Sequence, residues 1–155
     1  MTDVTGQLVS THKSHPFLAV LSLEGPRGKC VRCLAMVNSR AMINAINLEA
    51  HQRVARRLVG LSPSMQTLRM AGGLLVKSKG MWSGKVQWGP TMVETSFKVF
   101  LSSGAWRMLV GKPILDKVKA IHNYGLDSII LPCQSSRHKV TNFTQKAIPE
   151  HVLPT

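Results

Sequence analysis

Three short stretches carry residue types able to do chemistry. Asn38-Ser39-Arg40 interrupts an apolar run that ends at Val37 and precedes Ala41. It offers an amide, a hydroxyl and a guanidinium. The amide of Asn38 has no accessible acid–base equilibrium, so it can hold a hydrogen bond but cannot shuttle a proton. Cys30-Val31-Arg32-Cys33 has the spacing of half a zinc site or of a redox pair. In a strand over residues 29 to 37, however, positions 30 and 33 point to opposite faces, and Cys133 with His138 is a remote second half. No metal site is expected. His122, beside Asn123-Tyr124, has no accompanying nucleophile motif and reads as a packing or hydrogen-bonding residue. Neither a phosphate-binding glycine loop nor a paired-histidine metal motif occurs, so no cofactor is expected.

Trp82, Trp88 and Trp106 lie near Lys79, Lys85 and Lys98 in sequence and have the chemistry to stack on bases, although core packing is the commoner fate of tryptophan in strands. Lys and Arg total 20 against 7 Asp and Glu, a formal charge of +13. That charge attracts polyanions, but it is spread from Lys13 to Lys146 instead of gathered in a tail, so nucleic acid enters as a partner through charge alone. The N-terminus lacks the basic start of a secretory signal, and the apolar stretch from Phe17 to Leu23 is too short to span a bilayer, so no membrane contact is expected. Three cysteines suit free thiols in a reducing compartment, which points to an intracellular protein, cytoplasmic or nuclear.

The elements that must position these residues follow from periodicity and punctuation. A chain of 155 residues, 44% of them hydrophobic, holds one core. Residues 1–15 read as a flexible lead-in, 16–131 as the domain, and 132–155 as an irregular C-terminal tail with Pro149 and Pro154 near its end. Phe17 to Leu21 and Lys29 to Val37 read as paired strands around the turn residues Glu24-Gly25-Pro26-Arg27-Gly28. Ile43 to Ile46 resumes the apolar run, and a helix follows with Leu48, Val54 and Leu58 on one face, Arg53, Arg56 and Arg57 on the other, and Gly60 as its stop. A second hairpin joins Thr67 to Met70 with Leu74 to Val76 through Ala71-Gly72-Gly73. Met81 to Trp88, Met92 to Phe100, Trp106 to Val110 and Ile129 to Leu131 complete the strands, with a short helix from Pro113 through Lys119. Many short strands, two short helices and frequent Gly or Pro turns predict a mostly β, closed-barrel-like domain.

The order of these landmarks resembles the retropepsins encoded by retroviruses and long-terminal-repeat retrotransposons. In that family an apolar strand runs into Asp-Ser/Thr-Gly-Ala, and here Leu34 to Val37 runs into Asn38-Ser39-Arg40-Ala41. Asn44-Ala45-Ile46 is similar to the strand leaving the catalytic loop, the hairpin at Ala71, Gly72 and Gly73 to the glycine-rich flap, and Leu109-Val110-Gly111 to the element beneath the active site. His122-Asn123-Tyr124-Gly125 with Asp127 and Ile129-Ile130 resembles the end of proteases from fungal retroelements. The resemblance spans residues 17 to 131 and implies a closed-barrel-like retropepsin, or acid protease, fold.

The resemblance also implies a homodimer with a groove for a peptide or polyprotein segment, framed by residues 38 to 41 below and Ala71 to Gly73 above. In an aspartic peptidase two carboxylates share a proton, one activating water while the other protonates the substrate carbonyl. Asn38 stands at the position of the catalytic Asp and fills neither role, and in a symmetric dimer both carboxylates are lost together. Arg40 puts a long charged side chain where the family has glycine. Asp3, Asp116 and Asp127 lie outside any Asp-Ser/Thr-Gly context. The expectation is therefore a degenerate, inactive peptidase domain serving as a relic or peptide-binding scaffold. The alternatives are an active aspartic endopeptidase processing a polyprotein and a basic nucleic-acid-binding module.

Overall fold

A computed structural model describes residues 16–58, 60–64, 66–69, 73–101 and 106–143. The lead-in expected over residues 1–15 lies outside them. The chain opens with β1 (Phe17–Glu24) and β2 (Cys30–Val37), paired antiparallel in continuous register from Phe17 opposite Val37 to Glu24 opposite Cys30. Then come β3 (Ala45–Asn47), α1 (Leu48–Leu58), the short pair β4 (Thr67–Arg69) and β5 (Leu75–Lys77), and the long hairpin β6 (Gly80–Trp88) and β7 (Thr91–Phe100). The order finishes with β8 (Met108–Val110), α2 (Lys112–Lys117), β9 (Ile121–Asn123), β10 (Ser128–Cys133) and β11 (Ser136–Thr141).

Six strands close a barrel in the order β1-β2-β8-β3-β7-β6, sealed where Ser22 to Glu24 of β1 meet Lys85 to Gln87 of β6. Strand alternation divides the apolar residues between two cores. Phe17, Ala19, Leu21 and Leu23 of β1 join Val31, Cys33 and Ala35 of β2, Trp82 and Val86 of β6, and Phe97 and Val99 of β7 in one cluster. Leu18, Leu34 and Met36 face the other way, into a second cluster with Ala41, Ala45, Leu68, Phe100, Trp106 and Leu109. Both faces of β2 are thus covered, which is why its sequence reads as an almost unbroken apolar run.

The helix α1 forms as its pattern predicts. Ala50, His51, Val54 and Leu58 are buried, while Arg53, Arg56 and Arg57 are exposed. Asn47 caps it, its side-chain oxygen accepting the amides of Glu49 at 2.9 Å and Ala50 at 3.3 Å. At the other end the Trp82 indole N–H donates to the Leu58 carbonyl at 3.0 Å, satisfying one of the open carbonyls of the last turn.

The C-terminal region departs from expectation. The tail expected to be irregular from residue 132 instead continues β10 to Cys133 and returns as β11, so the domain runs at least to Phe143. Pro132 is tolerated because β9 reaches only Ser128 to Ile130, leaving β10 a single neighbour at that point. β11 is almost wholly exposed and lacks the apolar alternation that marks a strand in sequence. Asn142, just past β11, then ties that strand to the start of β1. It accepts the Leu18 amide at 2.9 Å and donates to the Pro16 carbonyl at 3.0 Å and to Asp127 Oδ2 at 2.8 Å.

Candidate functional site

The loop holding Asn38, Ser39 and Arg40 starts where β2 stops. Strand β8 passes between β2 and β3, parallel to the first and antiparallel to the second, so the loop joining β2 to β3 must cross the end of β8. Backbone bonds fix that crossing. Asn38 donates its amide to the Val110 carbonyl at 2.9 Å, Ala41 donates to Asn38 at 3.1 Å, and Lys112 donates to Ala41 at 2.8 Å. The Asn38 side-chain oxygen accepts the Arg40 amide at 2.9 Å, a turn that asparagine and aspartate form equally well. Asn38 is half-buried; Ser39 and Arg40 are exposed, and Ala41 is fully buried beneath them.

Asn44 secures the far side of the loop. It is 1% exposed, and each end of its amide is engaged. Its oxygen accepts the Gly111 amide at 3.0 Å, and its nitrogen donates to Thr95 Oγ at 3.2 Å and to the Ser96 carbonyl at 3.1 Å. Gly111 must approach closely for this to work, since a Cβ there would lie 2.1 Å from the Ile43 carbonyl oxygen and 2.7 Å from that of Ala41. Its φ of −111° is open to any residue, so the requirement is for space. Sequence reasoning placed Gly111 in the supporting element and missed the tie through Asn44. A polar residue in an apolar run was the available signal.

The hairpin β4–β5 packs on the same cluster as the loop, with Leu68 and Val76 set against the group containing Ala41, Ala45 and Leu109. Gly73 has a φ of +87°, a left-handed conformation that suits glycine at the hairpin connection. Ala71 and Gly72, expected with it as the flap, lie outside the described residues. Leu74 and Leu75 on the hairpin and Met42 on the loop are large apolar residues left exposed.

The sequence matches no protein-family model and no curated protein. Solved structures do match. The retroviral protease-like domain of Ddi1 from Leishmania major superposes with a TM-score of 0.60 at 14% identity, covering 88% of this chain and 100% of that one. The EIAV protease complexed with the inhibitor HBY-793 superposes with a TM-score of 0.50 at 11% identity, covering 72% of this chain and 95% of that one. The chain has a retropepsin-like fold. At these identities the likeness is one of architecture, and the chemistry is argued from the residues in the loop.

Within this retropepsin-like fold, the loop from Asn38 to Ala41 contains an amide, a hydroxyl and a guanidinium but no carboxylate. Arg40 is absent from the described non-glycine residues with positive φ, which are Lys119, Asp127 and Gln134. The backbone at 40 therefore does not need glycine; what arginine changes is bulk and charge above the loop. A cavity of about 210 Å³ opens beside the loop and brings Ser39 together with Val37, Lys112, Asp116 and His122. No hydrogen bond joins Ser39, Asp116 and His122 among the described residues. His122 packs as expected, its ring stacked on Tyr124 at 4.0 Å and edge-on to Phe17 at 5.2 Å. Burial lowers its pKa, and the charge of Asp127 opposes that shift.

The remaining candidates divide cleanly. Cys30 is exposed and Cys33 buried, on opposite faces as the strand period requires, and burial pushes the Cys33 thiol up to about 12, which leaves it inert. No cluster of His, Cys, Asp or Glu that could hold a metal occurs among the described residues. Trp82, Trp88 and Trp106 are all buried, so none offers a face for base stacking. Among the described residues no helix is long and apolar enough to cross a membrane.

Proposed function

We propose that this chain is a retroelement-derived, retropepsin-like domain that does not cleave peptides and serves as a homodimeric, intracellular scaffold for a peptide or polyprotein segment. The observation that carries the reading is the motif loop itself. Its side-chain oxygen at position 38 is kept and engaged with the Arg40 amide, while the acid that a general base requires is missing. The order of landmarks from the strand before Asn38 to Ile129-Ile130 supports the retroelement origin. Exposed Met42, Leu74 and Leu75, on the loop and on the hairpin that shares its apolar cluster, support retention of an apolar peptide. Three free cysteines support a reducing compartment, cytoplasmic or nuclear.

The test pairs the natural chain with the double variant Asn38→Asp, Arg40→Gly on an unfolded protein substrate, from acidic through neutral pH. The natural chain is expected to show no turnover, and the variant to gain cleavage that pepstatin-type inhibitors suppress. Inhibitor-sensitive turnover by the natural chain would overturn the reading. A folded, dimeric variant without activity would place further damage elsewhere in the groove.

A further inference from the structure

The end of the barrel remote from Asn38 carries a concentrated positive charge. The turn between β1 and β2 docks on the last turn of α1, because Gly25 is buried there and a Cβ on it would lie 2.0 Å from the Arg57 carbonyl oxygen and 3.2 Å from Leu58 Cα. Arg27 and Lys29 follow that contact directly and are exposed. Arg53, Arg56 and Arg57 are exposed on the outer side of α1, three and four residues apart and so on one face. None of the five is paired with a carboxylate among the described residues. Two acids lie nearby: Glu24 sits opposite Lys85 in the β1–β6 ladder, and exposed Glu49 lies four residues before Arg53 on α1, so the five cations outnumber the acids beside them.

We infer that this face, formed by Arg27, Lys29, Arg53, Arg56 and Arg57, binds the phosphate backbone of nucleic acid. Four of the five are arginines, whose planar fork matches a phosphate bidentately and is more weakly hydrated than an ammonium. The three tryptophans are buried, so the surface holds charge without stacking platforms and binds without sequence preference. The site stands apart from the peptide groove. β2 runs from Cys30 at the basic turn to Val37 at the motif loop, a span of about 23 Å at the usual strand rise. Nucleic acid on the arginine face therefore leaves the loop at 38 to 41 free, and this inference does not depend on the groove binding anything.

Fluorescence anisotropy with labelled mixed-sequence DNA, single-stranded and duplex, over a series of salt concentrations tests it. Engagement of all five cations by duplex gives a slope of log affinity on log salt of about −4.5, and Arg53→Gln, Arg56→Gln, Arg57→Gln together reduce its magnitude by roughly 3. A control removes the same charge elsewhere, with Lys119→Gln, Arg137→Gln and Lys139→Gln at exposed positions. It is expected to keep most of the slope. All six substitutions are at exposed side chains, and circular dichroism verifies that both variants fold. Equal weakening by the two sets would reduce the effect to net charge and overturn the site. So would undiminished binding by the α1 variant, or no binding by the natural chain at low salt. Polyglutamate displacing DNA at equal charge concentration would reassign the face to acidic proteins.

Discussion

An aspartate placed at position 38 would find the Arg40 amide already in place, 2.9 Å from the oxygen that asparagine now presents. The two side chains have nearly the same shape and both accept that bond, so the turn survives the exchange while the acid–base behaviour changes completely. This is why restoration of chemistry is a fair test of the loop. Gly111 presents the opposite case, a position where geometry admits no side chain. Gly111→Ala forces a methyl against two carbonyl oxygens of the motif loop, and the expected cost is about 3 kcal/mol, read as a lower urea midpoint. A midpoint unchanged from the natural chain would show that the loop yields freely. Asn38, Ser39 and Arg40 were conspicuous in sequence because they break an apolar strand. Asn44 stood out only as a polar residue within an apolar run, because its role exists only once β7 and the start of α2 are brought beside it.

The helix α1 was legible as an element, since its apolar spacing and its arginine face are properties of the local chain. The fate of His51 was not. It lies on the buried side at 4% exposure with its Nε2 lacking a hydrogen-bond partner, and burial lowers its pKa below the ordinary 6.5. A histidine depressed in the folded state takes up its proton more readily when unfolded. Its contribution to stability is therefore complete above about pH 6.5 and is lost as pH falls from there through the lowered folded value. The urea midpoint is expected to fall on acidification through that window, and His51→Leu to remove part of the fall, with His122, whose pKa is lowered in the same direction, contributing a further part. An identical pH profile in the variant would dismiss the buried imidazole as the cause. The strand β11 shows the reverse limit. Its polar sequence carries no signal, and it forms because β10 offers an unpaired edge.

One chain supplies one motif loop, and a groove built from two needs a second copy. The turn between β9 and β10 leaves Tyr124 and Leu126 exposed, with Ile121 beside them on β9. Sedimentation equilibrium at micromolar concentration is expected to give twice the chain mass, and Tyr124→Ser with Leu126→Ser to shift the population toward monomer. A natural chain that stays monomeric at every concentration would remove the dimeric groove. The net charge of +13 raises the electrostatic cost of bringing two copies together, so dimerisation is expected to strengthen with added salt while binding to nucleic acid weakens.

By itself the sequence determined the mostly β architecture, the positions of most strands and both helices, and the absence of an acid from the motif loop. Each of these is written in nearest neighbours: a two-residue or four-residue period, a turn signal, a residue type. Only the tertiary structure decided which residues act on that loop. The Asn44 tie, the space left by Gly111, the return of Asn142 to β1, the burial of His51 and all three tryptophans, and the meeting of the Gly25 turn with the arginine end of α1 join residues far apart in the chain. Such contacts depend on how the barrel closes, and a local pattern carries no record of closure.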